Sequence, residues 1–384
     1  MSERTISERL RRWRLVLGEP AAEGTDVDLG PDDQQRDTAL AGLYDADRTG
    51  RLGGSSPRVA RWLGDIRRFF PTSVVQVMQR DAMDRLGLRR LLLEPEMLET
   101  VQPDVHLVAT LVGLKDAIPE ASRDTARTVV RQVVDQLEER LASPTRAAVA
   151  GALHRAQRTR RPKAGDIDWN RTIRANLVHY QPEHRTVIPE RLVGYGRRMP
   201  TAQRDLILAI DQSGSMAESV VYASVFGAVL ASMRTVRTRL IAFDTAVVDL
   251  SEDLDDPVDL LFGIQLGGGT DIGAALAHCQ DLVERPVDTI VVLISDLYEG
   301  GVREELLARA AAMVADGVQV VALLALSDEG APSYDHENAA ALTGLGVPAF
   351  ACTPDAFPDL MAAAIERRDL TAWSQQAAPD GRKD

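Results

Sequence analysis

Five short, almost wholly apolar runs constrain this chain more than any other feature: Leu206–Ile210, Leu240–Phe243, Thr289–Ile294, Val318–Ala325 and Val347–Ala351. Each is too short for an ordinary helix and lacks alternating polar positions, the pattern of strands buried on both faces of a parallel sheet. Segments of helical spacing lie between and after them: Ala217–Arg234, Ile272–Glu284, Val302–Ala315, His336–Thr343 and Ala356–Glu366. This alternation predicts a doubly wound α/β domain, with a mainly parallel sheet flanked by helices. Val247–Asp249 reads as a short antiparallel edge strand.

The first three runs close on polar residues: Asp211, then Asp244, then Ser295 and Asp296. Open α/β sheets bind ligands beyond the carboxyl ends of their strands. There the chain places Asp211-Gln212-Ser213-Gly214-Ser215, with Gly214 permitting the tight turn that aims both serines at one point. Gly267-Gly268-Gly269-Thr270-Asp271 opens the helix at Ile272, and Asp296 ends the third run. Three loops thus offer Asp211, Ser213, Ser215, Thr270 and Asp296, all hard oxygen donors with no His or Cys. Oxygen-only ligation with few carboxylates suits Mg²⁺, with Mn²⁺ able to substitute, and argues against zinc. A plainer reading makes Asp211 and Ser213 caps of the helix at Ala217. It accounts for one loop and leaves Thr270 and Asp296 unexplained. Thr270 can cap its helix and ligate as well, Asp271 fits a first helical turn, and Asp244 reads as a turn residue.

DxSxS, a glycine loop ending in Thr-Asp and a strand-terminal Asp together resemble the metal-ion-dependent adhesion site of von Willebrand factor A (VWA) and integrin I domains. The resemblance covers roughly Asp205 to Glu366. It implies that Ser213 and Ser215 contact the metal directly, and Thr270 does so in the ligand-bound state. Asp211 and Asp296 would act mainly through water, leaving one position for an Asp or Glu of a partner protein. A narrower resemblance rests on Asp168-Trp169-Asn170-Arg171-Thr172-Ile173-Arg174-Ala175-Asn176-Leu177, His179-Tyr180, Ile188-Pro189-Glu190-Arg191-Leu192, the run Asp211–Met216 and Ser295–Gly301. These stretches look like bacterial VWA proteins of the CoxE-like group. That group implies a helical N-terminal domain and pairing with a MoxR-type AAA+ ATPase in protein maturation or chaperone-like remodelling.

Enzymatic patterns fit less well. Ser213 lacks the GxSxG elbow, and the glycine loop lacks the GK[ST] of a nucleotide-binding loop. The expectation is an adaptor rather than an enzyme; the alternative is a Mg²⁺-dependent hydrolase acting on a phosphoester with the same ligands. Charge disfavours nucleic acid as partner, since residues 201–384 hold 11 Lys+Arg against 29 Asp+Glu and would repel phosphate. Residues 1–200 hold 33 against 28, and the stretch Arg155–Arg198 has eleven basic and four acidic residues. That stretch either docks an acidic surface, the chain's own second half included, or is a solvated linker. No stretch of eighteen uninterrupted apolar residues occurs, so no membrane span is expected. The charged N-terminus and two cysteines without CxxC spacing suggest the cytoplasm.

The remaining chain reads as residues 1–56, an N-terminal helix (1–17) and flexible linker; 57–161, a helical domain; 162–200, a connector without clear helix; 201–370, the VWA domain; and 371–384, a tail. In the helical domain Val59, Trp62, Leu63, Ile66 and Phe69 share one face. Ser122–Leu141 is the clearest helix, with Pro144 expected just past its end. Val187–Pro189 and Leu192–Tyr195 are candidate short strands of the connector.

Overall fold

The computed structural model describes residues 3–17, 29–44, 56–86, 92–156, 158–159, 167–195, 204–265, 267–328 and 333–377. By internal contacts the chain divides into Met1–Val133 and Val134–Asp384. The first unit is helical: α1 (Glu3–Leu17), α2 (Pro31–Tyr44), α3 (Ser56–Phe69), α4 (Thr72–Leu86), α5 (Pro95–Thr100), α6 (Val105–Gly113) and the first part of α7 (Glu120–Ala156). Val59, Trp62, Leu63 and Ile66 of α3 are buried as their spacing requires.

Helix α2 corrects the expected linker. Pro31 opens it and Asp32 and Asp33 favour its N-terminal dipole. It buries only Ala39, Leu43 and Asp33, too few positions to show as a stripe. Tertiary bonds hold it instead: the Trp62 indole N–H donates to the Ala39 carbonyl at 2.8 Å, and Arg14 grips Asp37 with two bonds of 2.7 and 3.1 Å.

Helix α7 also departs from expectation, because it runs through Pro144. An interior proline removes one backbone bond and costs about 3 kcal/mol. Beyond it the buried stripe resumes at Val149, Ala152 and Leu153, and the buried Thr145 hydroxyl donates back to the Leu141 carbonyl at 2.7 Å.

The expected helix-free connector contains α8 (Trp169–Ala175) and three strands of two tiny antiparallel sheets, the fourth, at residues 158–159, lying in the segment expected to be helical. Strand β1 (Arg158–Thr159) pairs with β4 (Gly194–Tyr195), and β2 (Tyr180–Gln181) with β3 (Thr186–Val187). Polar side chains organise it. Asp168 caps α8 by accepting from Arg171 N–H. The Thr172 hydroxyl and the Asn176 amide, both buried, bond the backbone of residues 190–193.

The remainder is α/β as the apolar runs dictate: β5 (Arg204–Asp211), α9 (Ala217–Ala231), β6 (Val236–Phe243), β7 (Val247–Asp249), α10 (Pro257–Gly263), α11 (Ile272–Asp281), β8 (Thr289–Ile294), α12 (Arg303–Ala315), β9 (Gln319–Leu326), α13 (His336–Gly344), β10 (Ala349–Cys352), α14 (Phe357–Ile365) and α15 (Leu370–Ala377). The six strands order as β10-β9-β8-β5-β6-β7, all parallel except β7, which pairs antiparallel on the edge. Helices α10 and α15 are additions, the second lying in the expected tail.

Alternate side chains serve opposite faces. Ile207, Ala209, Ile241, Phe243, Val291 and Leu293 share a core with α11, α12 and α13. On the other face Gly227 of α9 approaches Leu208, Leu240 and Leu254 so closely that a Cβ there would lie 3.0 Å from Leu254. The stretch Gly214–Ala231 is apolar enough in composition to cross a bilayer, and 67% of it is buried within this fold. Chain order sends β6 to one side of β5 and β8 to the other. The carboxyl ends of β5 and β8 therefore flank a topological switch point.

Candidate metal centre

Asp211 is the last residue of β5 and is fully buried. Its Oδ1 accepts from Ser213 N–H at 2.8 Å, which turns the chain sharply and points Ser213 and Ser215 outward. The Ser213 and Ser215 hydroxyls lie 3.1 Å apart, and Ser215 Oγ donates to Asp296 Oδ2 at 2.6 Å. Thr270 Oγ1 donates to Asp211 Oδ1 at 3.4 Å. The five residues singled out from the sequence thus form one hydrogen-bonded group across three loops. The capping alternative does not hold, since neither Asp211 nor Ser213 caps α9. At α11 the cap is Asp271, which accepts from Ala274 N–H at 2.8 Å, rather than Thr270.

Backbone bonds tie the loops in place. Gly267 N–H donates to the Gln212 carbonyl at 2.9 Å, Asp271 N–H to Asp244 at 2.8 Å, and Gly300 N–H to Thr270 at 2.7 Å. Gly268 has φ +110°, and a Cβ there would come within 3.2 Å of Asp244 Oδ2. Only glycine lets the loop pass Asp244 in this conformation. A Cβ on Gly300 would sit 2.8 Å from the Thr270 carbonyl oxygen. Leu297, fully buried, adopts φ 65°, and its carbonyl accepts from Asn338 Nδ2 at 3.0 Å.

Two contributors escaped sequence reasoning. Ser295 Oγ donates to Asp211 Oδ2 at 2.7 Å while accepting from Leu297 N–H at 3.0 Å. Glu299 accepts from Ile272 N–H at 3.0 Å and Gly301 N–H at 2.6 Å, joining the β8 turn to the start of α11. Both stand in the run Ser295–Gly301, but their roles depend on partners 84 and 27 residues away, which spacing does not reveal.

Burial is the main force raising the Asp211 carboxyl above the usual range, with the Asp296 charge adding to it; bonds from Ser213 and Ser295 oppose the rise. Burial, with a contribution from Asp271, likewise raises Glu299. The carboxylates at these strand ends accordingly favour a nearby positive charge. Among the described residues no three His, Cys, Asp or Glu gather as a metal cage, so a cation here needs hydroxyl ligands too. The geometry suits one. Octahedral Mg²⁺ with oxygens at about 2.0–2.1 Å places neighbouring ligand oxygens about 2.9 Å apart, close to the 3.1 Å between the serine hydroxyls. A hydroxyl that ligates through a lone pair must direct its proton elsewhere. Asp296 receives that of Ser215, and Asp211 that of Thr270.

Residues 141–361 match the family model described as VWA domain containing CoxE-like protein. The chain is 36% identical to the uncharacterized protein YehP of Escherichia coli (strain K12), over 92% of this chain and 96% of that protein. Two solved structures align at low identity. One is an aerotolerance-related membrane protein from Bacteroides fragilis NCTC 9343 with multiple mutations to serines: 17% identity, 44% of this chain, 98% of that one, TM-score 0.33. The other is BatB from Bacteroides thetaiotaomicron: 16% identity, 43% and 99% coverage, TM-score 0.34.

Proposed function

This chain belongs to the VWA domain containing CoxE-like proteins, and we propose that it is a metal-dependent protein-interaction adaptor rather than an enzyme. Ser213, Ser215, Thr270, Asp211 and Asp296 would hold a Mg²⁺ ion, with Mn²⁺ as substitute. The bound ion would supply a Lewis-acidic point that accepts an Asp or Glu carboxylate of a partner protein. The carrying observation is that hydroxyls from two loops donate to carboxylates from two strand ends. Neutral oxygens are thereby presented to the ion and the negative charges stand one bond behind, so the ion keeps a demand for an anionic ligand. Ser295 holds Asp211 in orientation, and Glu299 fastens the β8 turn beside Thr270.

The family resemblance suggests a MoxR-type AAA+ ATPase as working partner, in maturation or remodelling of client proteins in the cytoplasm. The test is capture of that ATPase or its client by full-length protein in Mg²⁺ and in EDTA. Wild type should retain the partner only in Mg²⁺, and Asp211→Ala should lose it. Equal recovery by both proteins refutes the adaptor reading. Phosphoester turnover abolished by Ser213→Ala refutes it in favour of a hydrolase.

A further inference from the structure

The helical unit contains a cavity of about 430 Å³, within the size range of ligand sites. Its walls come from α3, α5, the turn after α5 and the first part of α7. Leu98, Val101 and Val129 line it and are buried, which gives it an apolar floor. Hydrogen bonds from α4 brace the turn. Gln79, 2% exposed, donates to the Gln102 carbonyl at 3.1 Å and accepts from Gln102 N–H at 2.7 Å. Gln76 donates to the Pro103 carbonyl at 3.3 Å. A wall braced in this way holds its shape without a ligand, so binding pays little ordering entropy.

Arg67 lines the cavity from α3. Its guanidinium donates to the Thr100 carbonyl, and among the described residues no carboxylate pairs with it. Partial burial therefore draws its pKa below the usual arginine value with no nearby acid to offset the fall. Guanidinium presents five N–H donors in a planar fork that matches a carboxylate; one bond to Thr100 leaves most of the fork unused by the protein. Glu99, the one acid of the lining, is exposed and makes no ion pair with Arg67. The side chains of Gln102, Thr125 and Gln132 also line the cavity and bond nothing among the described residues. An amide side chain offers one acceptor and two donors, the groups that pair with a peptide unit. A phosphate, with about two charges, suits a cavity holding one cation and one acid less well than a singly charged carboxylate.

We infer that this cavity is a second binding site, independent of metal, for a peptide carboxylate with an apolar neighbour. The carboxylate pairs with Arg67, the amides of Gln102 and Gln132 meet the adjoining peptide groups, and the apolar side chain rests on Leu98, Val101 and Val129. A free C-terminus and an Asp or Glu side chain supply the same chemistry. The site gives the helical unit a recognition role of its own and does not depend on a cation at Asp211.

Retention of peptide pools on immobilised full-length protein in EDTA tests this. The pools are randomised pentapeptides: blocked at both ends with a central Glu, the same with a central Gln, and acetylated with a free C-terminus and no other acid. At least one carboxylate pool should be retained about tenfold more than the Gln pool, and which one identifies the source of the carboxylate. Arg67→Met should abolish that preference. Should Arg67→Met fail to fold for want of its bond to Thr100, Gln132→Glu decides: its exposed side chain has no bond to lose, and it sets a competing carboxylate on the α7 wall at unchanged Tm. Equal retention of all pools overturns the proposal, as does failure to retain either carboxylate pool, or a preference that survives the deciding variant. Retention seen only in Mg²⁺ assigns the carboxylate to the metal centre and overturns it too. Loss of the metal reading leaves this result untouched, because no ion is present in the assay.

Discussion

Replacing Asp211 by Asn separates the cost of the buried charge from the gain that a cation returns. Asn keeps an oxygen to accept from Ser213 N–H, and its amide can donate to Ser295 Oγ, which now donates to Asp211. What disappears is the ionised group, whose pKa burial holds above its ordinary value. For a carboxyl raised in the folded state, the stabilising contribution is complete below the unfolded pKa and is lost as pH rises through the folded pKa. At neutral pH in EDTA, wild type therefore carries the penalty and the Asn variant does not. The variant should melt at or above wild type, with the difference shrinking as pH falls. Magnesium reverses the order. A ligand at a hundred times its Kd stabilises by about 2.7 kcal/mol. Each kcal/mol moves the Tm of a unit this size by about 2–4 °C, so wild type should rise by about 5–11 °C and the variant hardly at all. Scanning calorimetry in Mg²⁺ and in EDTA, at neutral and mildly acid pH, reads both effects. An equal Mg²⁺ response in the two proteins refutes the ligand assignment. A variant melting far below wild type in EDTA refutes the burial argument.

Gly300→Ala places a methyl 2.8 Å from the Thr270 carbonyl oxygen; overpacking of this kind costs about 1–3 kcal/mol. It should lower Tm and blunt the calorimetric Mg²⁺ response although no ligand changes, whereas Gly263→Ala, with open space around it, should do neither. Asn176→Ala strands the Glu190 and Arg191 N–H groups and the Thr172 and Arg191 carbonyls, at about 1–3 kcal/mol for each buried group left unpaired. Hydrogen exchange should accelerate across residues 167–195 and stay unchanged in the β5–β8 ladder. Burial pushes the Cys279 and Cys352 thiols up to about 12, so both should resist alkylation at pH 8 in native protein and react rapidly in urea. Fast labelling of the folded chain would contradict their burial.

The sheet was legible because strands covered on both faces must be continuously apolar: Thr289–Ile294 is a strand from end to end, and even the edge strand Val247–Asp249 lies where its sequence suggested. That Asp211, Ser213, Ser215, Thr270 and Asp296 would come together was legible because polar residues just past strand ends, and a glycine loop opening a helix, stand out against such runs. Elements held by specific bonds were not. Helix α2 depends on Trp62 and Arg14, α8 on Asp168 and the staples at Thr172 and Asn176, and α7 continues past Pro144 because its buried stripe does. Ser295 escaped for a related reason. Its sequence position marks a strand end, but its part in aiming Asp211 exists only once β5 and β8 are neighbours.

Leu297 joins two incompatible demands at one position. Its left-handed backbone favours glycine, and its enclosed side chain requires a large aliphatic group. Glycine would relax the turn and empty the core beneath it, while other aliphatic residues keep the strain, so the position has almost no neutral neighbours in sequence space. Its carbonyl is hooked by Asn338, and the adjoining Asp296 carbonyl by Asp335 N–H, so the beginning of α13 is bolted to the same bend. Two hydrogen bonds thus make the bend after β8 and the start of α13 one rigid corner, and the position of Asp296 is set partly by a helix that contributes none of the five candidate residues.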